Sequence, residues 1–148
     1  MPSTYLSLHY HVVFSTKDRD PTISNSWMTD LHKYISGTVD GLGGFSQGIG
    51  GVNDHVHLLF GLKATHCLAD FMRDLKRSSS LWVHEKCKDQ NFSWQDGYAA
   101  FTVSSTARDV VNNYIKNQAE HHKQRTFREE LIDMLQRADI DFDMRYLD

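Results

Sequence analysis

The sequence predicts an α+β fold of ferredoxin-like type, one antiparallel sheet with helices packed on it, and three observations point there. The hydrophobic period switches between two and about 3.6 residues in the order β-α-β-β-α-β-α. The link after the first helix holds six glycines between Gly41 and Gly51, which suits a hairpin better than a parallel crossover. The chain of 148 residues can bury one core but not two, so residues 1–148 read as a single domain.

Each element has its own signal. Leu6, Leu8, Tyr10, Val12 and Phe14 alternate with Ser7, His9, His11 and Val13, a half-buried first strand. A helix capped near Asn25 or Ser26 follows, with Trp27, Leu31, Tyr34, Ile35 and Thr38 on one stripe. The glycine-rich segment ends it and favours a turn and a bulged strand. Val52–Leu62 is rich in branched and aromatic residues and reads as strand. From about Thr65 to Lys86, Leu68, Phe71, Met72, Leu75 and Trp82 recur at helical spacing. Phe92–Val103 reads as strand or hairpin turned at Asp96 and Gly97. Thr106 can cap a third helix carrying Val110, Val111, Tyr114, Ile115 and Gln118. Phe127, Leu131, Met134 and Leu135 mark a last amphipathic helix.

Composition excludes several classes. Hydrophobic residues at 40% with two prolines argue against disorder, and no apolar run approaches the ~20 residues that span a bilayer. Met1 to Tyr10 lacks the basic and apolar regions of a signal peptide. Two cysteines in a chain with a sufficient core point to a reducing cytoplasm. The net charge of −3 runs against nucleic-acid binding, yet its distribution is uneven. Residues 126–148 hold seven acids and three arginines, so the remaining body is +1.

Two constellations carry chemistry. In Asn53-Asp54-His55-Val56-His57-Leu58-Leu59-Phe60, strand geometry aims His55 and His57 to one face while Val56 and Leu58 point into the core. Two such imidazoles suit one divalent ion, and a solvated or hydrogen-bonded pair has the same spacing. His9-Tyr10-His11 repeats that spacing on the first strand. Its histidines could stand beside the first pair, contact phosphate or lie exposed. In Asn113-Tyr114-Ile115-Lys116-Asn117-Gln118, the phenol and the amide are i and i+4 and share a helix face. A core tyrosine flanked by Val110, Val111 and Ile115 would show the same pattern.

His55-Val56-His57 resembles the HUH motif, two histidines around a hydrophobic residue. Tyr114-x-x-x-Gln118 resembles the nucleophile helix of the single-tyrosine HUH transposases, the IS200-like enzymes of single-strand insertion sequences and their relatives associated with repetitive palindromes. Tyr10-His11-Val12-Val13-Phe14-Ser15-Thr16-Lys17 is similar to the family's opening strand. Trp94-Gln95-Asp96-Gly97-Tyr98-Ala99-Ala100-Phe101 is similar to its final strand, and Asn117-Gln118 with His121-His122 to the end of its catalytic helix. Four pieces stand in order over nearly the whole chain.

The resemblance implies metal-assisted transesterification of single-stranded, hairpin-forming DNA by a homodimer. His55, His57 and Gln118 would hold Mg²⁺ or Mn²⁺, and imidazole ligands favour manganese. Tyr114 would attack the scissile phosphate and keep a 5′-phosphotyrosine bond. His121, seven residues on, would be a general base or phosphate contact, and His11 an auxiliary group. Arg73, Lys76 and Arg77 form a basic patch suited to phosphates or simply a solvated helix face; Lys17 and Arg19 are a smaller second patch.

Rival readings remain at this level. A domesticated relative would bind and cleave repeat-derived hairpins. A noncatalytic DNA-binding module would suit the near-neutral body. A zinc site could grow from His84-x-x-Cys87, although no second ligand pair has finger-like spacing.

Overall fold

The computed structural model describes residues 3–147. Four strands form one antiparallel sheet in the order β2-β3-β1-β4: β1 is His9–Ser15, β2 Phe45–Gly51, β3 His55–Gly61 and β4 Ala99–Thr102. Helix α1 (Met28–Gly41) joins β1 to β2, and α2 (Leu68–Lys86) joins β3 to β4. Three further helices follow: α3 (Arg108–Lys116), α4 (Gln118–His121) and α5 (Phe127–Arg137). The first six elements give the expected β-α-β-β-α-β order, with the first and third strands at the centre.

The pleat sorts alternate residues onto two layers. Val12, Phe14, Val56, Leu58 and Phe60 face α1 and α2, in the larger core with Leu31, Ile35, Phe71, Met72 and Leu75. Val13 and Leu59 face the other way, toward α5 and α3, packing with Phe127, Leu131 and Leu135 or with Val103 and Ile115. In the central pair Val13 stands opposite His57 and Ser15 opposite His55, so the histidines share this second face. Covering the sheet on both faces leaves β3 buried at every position.

Polar closures pin the first layer. Trp94 meets Phe14 edge-on with centroids 4.7 Å apart and donates its indole N–H to Ser79 Oγ at 2.9 Å. Ser79 in turn donates to the Leu75 carbonyl at 2.8 Å, so the buried indole is satisfied inside the core.

Several boundaries differ from expectation. β1 begins at His9, and Leu6 is exposed. α1 starts at Met28, with Trp27 at its cap and no side-chain cap bond; Ser24 and Ser26 bond each other instead. β3 starts at His55 rather than Val52, because Val52 closes the tight turn by donating its N–H to the His55 carbonyl. The glycine segment is itself strand β2, with its register shifted between Ser46 and Gly48. α2 begins three residues later than Thr65, at Leu68. Phe92–Val103 pairs only at Ala99–Thr102 and through one bridge from Trp94 to Thr16; Lys76 fills the bend by donating to the Gln95 and Gly97 carbonyls. Thr106 does not cap α3. It lies in a 3-10 turn, Ser105–Ala107, and pairs with Ser104.

The last helix starts with the reciprocal cap its sequence permits: Thr126 accepts from the Glu129 N–H while the Glu129 carboxylate accepts from the Thr126 N–H. This acidic segment is not an appendage. Through α5 it forms part of the second layer, although Asp148 lies outside the described residues. Among the described residues no helix is long and apolar enough to cross a membrane.

Candidate metal centre and tyrosine site

β3 delivers His55 and His57 to the second face, both with no exposed surface. Buried imidazoles need partners for both ring nitrogens. His55 Nδ1 donates to Asp54 Oδ1 at 2.7 Å, and its Nε2 faces Gln118 Oε1 at 3.2 Å. His57 Nε2 faces Glu130 Oε1 at 3.0 Å. On its other side, Nδ1 lies 2.8 Å from His11 Nε2. The first-strand pair therefore splits: His11 backs His57, while His9 pairs with Gln47 at 3.1 Å in the β2 bulge.

Tyr114 and Gln118 reach the same place by a route the spacing did not show. The helix breaks at Asn117, whose ψ of 26° ends α3 before α4 begins. The break leaves Gln118 buried beside His55, with its amide donating back to the Tyr114 carbonyl at 3.4 Å. Tyr114 is half-buried; its ring stands 5.9 Å from that of His57 and 6.4 Å from that of His11. His121 stacks on the phenol ring at 4.4 Å, and its Nε2 has no hydrogen-bond partner. It lies against the ring rather than on the hydroxyl.

Sequence reasoning missed the residue at the centre. Glu130 of α5 is fully buried, and its Oε1 is 3.0 Å from His57 Nε2, 3.2 Å from His122 Nε2 and 3.5 Å from His55 Nε2. Its other oxygen, Oε2, accepts the Tyr114 hydroxyl. Arg125 was also missed: it donates to the Tyr114 hydroxyl oxygen at 3.1 Å and to Asp133 at 3.4 Å. The only clue was a glutamate three residues after Phe127 on an apolar helix face, where a carboxylate is rare unless paired.

The electrostatics follow from these contacts. Burial disfavours a charged His55, but its hydrogen bonds to Asp54 and Glu130 outweigh that and push it up to about 9. Burial with the neighbouring His57 takes His11 down to about 3, and burial takes His57 down to about 4. Burial alone would raise the Glu130 carboxyl; hydrogen bonds from His122, His55 and His57 hold it well below the usual carboxylate range. Burial and the Glu130 carboxylate push the Tyr114 phenol up to about 12, with Arg125 acting in the opposite direction.

His55, His57, His122 and Glu130 present ligand atoms that all lie within 4.8 Å of one another. This donor set of imidazoles and a carboxylate fits a divalent ion. A cleft of about 600 Å³ opens beside it, lined by Arg19, Asn53, Asp54, His122, Arg125 and Phe127 among others.

The basic patch lies elsewhere. Arg73, Lys76 and Arg77 ride on α2, across the sheet from the histidines. Arg73 pairs with Asp70 and Asp74 at 3.3 Å, and Lys76 is held by backbone carbonyls; Arg77 is exposed. Lys17 is exposed in a 3-10 turn after β1. His84 Nε2 donates to the Phe92 carbonyl at 2.7 Å; Cys87 ends α2 through its backbone N–H on the Val83 carbonyl, and its thiol is free.

Known proteins resemble this chain in sequence and in fold. Curated transposases of insertion sequence IS200 from Salmonella typhimurium and Salmonella typhi are 35% identical over 77 residues, covering 47% of this chain and 49% of theirs. The chain thus spans about half the length of the curated relatives it matches. A crystal structure of a candidate transposase from Deinococcus radiodurans superposes with a TM-score of 0.62 at 25% identity, covering 80% of this chain and 96% of that one. A REP-associated tyrosine transposase bound to a REP hairpin shares the fold, with a TM-score of 0.55, 12% identity, and 78% and 70% coverage. The sequence model of the family described as IS200-like transposases matches residues 4–118, from before β1 to the amide that faces His55, and the chain belongs to that family.

Proposed function

We propose that this protein nicks and rejoins single-stranded DNA in transposition, with Tyr114 as nucleophile. One observation carries the reading: in a chain of the IS200-like family, a half-buried phenol stands beside a buried cluster of metal-ligand type. His55, His57 and Gln118 would hold Mg²⁺ or Mn²⁺, which when bound supplies Lewis-acid polarisation of the scissile phosphate.

The chain's own residues supply the rest. Tyr114 loses its phenolic proton and its oxygen bonds to phosphorus as the bond to the 3′-oxygen breaks, releasing a 3′-hydroxyl. The covalent 5′-phosphotyrosine conserves one phosphodiester bond, so rejoining reverses the step without ATP. Arg125 bears on the phenol oxygen and favours its anionic form. His57 is held in place by His11 and His55 by Asp54, which fixes the rings without help from solvent.

One nucleophilic tyrosine per chain makes one covalent link at a time, so two cleavages require a homodimer. Hairpin-forming single strands are the proposed substrate, with Lys17, Arg73, Lys76 and Arg77 as phosphate contacts remote from the chemistry. Incubation with hairpin-tailed single-stranded DNA and Mn²⁺, resolved on a denaturing gel, tests the reading. The expected result is a protein–DNA adduct that Tyr114→Phe abolishes; no adduct across a broad hairpin library from folded, metal-loaded protein would overturn it.

A further inference from the structure

We infer that Glu130 is itself a ligand of the bound metal, so that α5 completes the centre together with His122. The inference rests on the proposed metal site at His55 and His57 and adds a segment to it. Residues 127–137 lie wholly beyond the 4–118 that match the family.

Burial argues first. A carboxylate with no exposed surface is costly unless compensated by cations and hydrogen bonds. The partners of Glu130 Oε1 are three imidazole nitrogens, at 3.0, 3.2 and 3.5 Å. Three rings converging on one carboxylate oxygen have the spacing that ligands of one ion would take.

Proton counting argues second. A neutral imidazole carries one N–H. His55 spends its Nδ1 proton on Asp54, yet its Nε2 faces the oxygens of both Gln118 and Glu130. His122 Nε2 likewise faces Gln118 Oε1 at 3.1 Å and Glu130 Oε1 at 3.2 Å. A His55 with two protons can donate to Asp54 and to one of these oxygens; once the Nε2 proton is lost, its lone pair and the Glu130 oxygen can both be directed at one cation. With its Nε2 on a metal, His57 would carry its proton on Nδ1 and donate to His11, whose Nε2 lies at 2.8 Å.

Scale argues third. Nitrogen and oxygen ligands about 2.0–2.2 Å from one ion lie at most about 4.4 Å apart. The four donor atoms here already fall within 4.8 Å, so closure onto an ion needs only small side-chain shifts. Three imidazoles with a carboxylate select Mn²⁺, Co²⁺ or Zn²⁺ over Mg²⁺, which prefers oxygen ligands and retains water. The second carboxylate oxygen, bonded to the Tyr114 hydroxyl, ties the nucleophile to the same ligand.

The test is Mn²⁺ binding by the full chain, read by calorimetry and by pulsed electron paramagnetic resonance. Glu130→Gln is expected to weaken Mn²⁺ binding at least about 10- to 100-fold, His57→Ala to weaken it further, and Lys33→Ala, at an exposed position of α1, to leave it unchanged. The wild-type Mn²⁺ spectrum should show coupling to three imidazole nitrogens, a readout that needs no variant. Wild-type affinity in Glu130→Gln with loss in His57→Ala, or coupling to two imidazoles, would overturn this inference and leave the proposed function standing. A higher adduct yield from Glu130→Gln than from wild type at saturating Mn²⁺ would make Glu130 a plug and would also overturn it. Unchanged binding in His57→Ala would instead overturn the metal site at the histidines. If Glu130→Gln folds poorly, Glu130→Asp gives the same reading with the charge retained and the reach shortened.

Discussion

Gly50 of β2 lies directly beneath the Ile115 carbonyl of α3: a β-carbon on Gly50 would stand 2.0 Å from that oxygen. The helix that carries Tyr114 therefore rests on bare backbone. Gly50→Ala must push α3 away from the sheet, at a cost of about 1–3 kcal/mol by analogy with overpacked cores. We expect a lowered Tm and loss of DNA cleavage. At Gly48 the obstacle is the Asn112 side-chain amide, also 2.0 Å away, which can rotate, so Gly48→Ala should be milder. Equal Tm losses in the two variants would refute the distinction.

At the proposed metal site, His55 should make metal binding depend on pH. Its pKa is raised to about 9 in the metal-free fold, so at pH 7 the ring holds two protons and must lose one to become a ligand. Apparent Mn²⁺ affinity should rise about tenfold per pH unit from pH 7 toward pH 9, with one proton released. In the metal-free protein this ring stabilises the fold below its unfolded pKa of about 6.5, and the contribution is lost as pH rises through about 9. Calorimetry in buffers of different ionisation enthalpy counts the proton; affinity flat over this range would remove His55 from the ligand set.

Tyr114 should titrate at the alkaline extreme, since burial and Glu130 push it up to about 12. Arg125 opposes them, so Arg125→Ala should raise the midpoint further and slow cleavage. Ultraviolet difference titration of the wild type, Tyr114→Phe and Arg125→Ala isolates this one phenol. A lower midpoint in Arg125→Ala would show that the guanidinium does not favour the phenolate.

His11 contacts His57 at 2.8 Å and is kept neutral by burial and that neighbour, so we expect it to act on the proposed metal site through His57. His11→Phe fills the space without a ring nitrogen and should weaken Mn²⁺ binding by about 10- to 100-fold while the protein stays folded. His9→Phe, which removes only a contact to Gln47, serves as the comparison. Equal affinities in the two variants would assign His11 to packing.

Much of this was legible in the chain. The alternation of His55 and His57 with Val56 and Leu58 fixes both the strand and the face each side chain takes, because the pleat has a period of two. The helical stripes of α1, α2 and α5 were likewise local facts. Gln118 shows where locality ends. Its i+4 spacing from Tyr114 holds, yet the helix between them breaks at Asn117, and the amide meets His55 because of how α3 and α4 dock on the sheet.

By itself the sequence determined the order of the main elements and the two histidines on one face, consequences of short-range periodicity, while the tyrosine's place near them was implied by the family resemblance. Tertiary structure alone decided that Glu130 enters from a helix 73 residues downstream of His57, that His11 and not His9 backs the cluster, and that the glycines of β2 seat the tyrosine helix. These are contacts between distant segments. They depend on ångström-scale approach across strands and helices, which residue spacing does not encode.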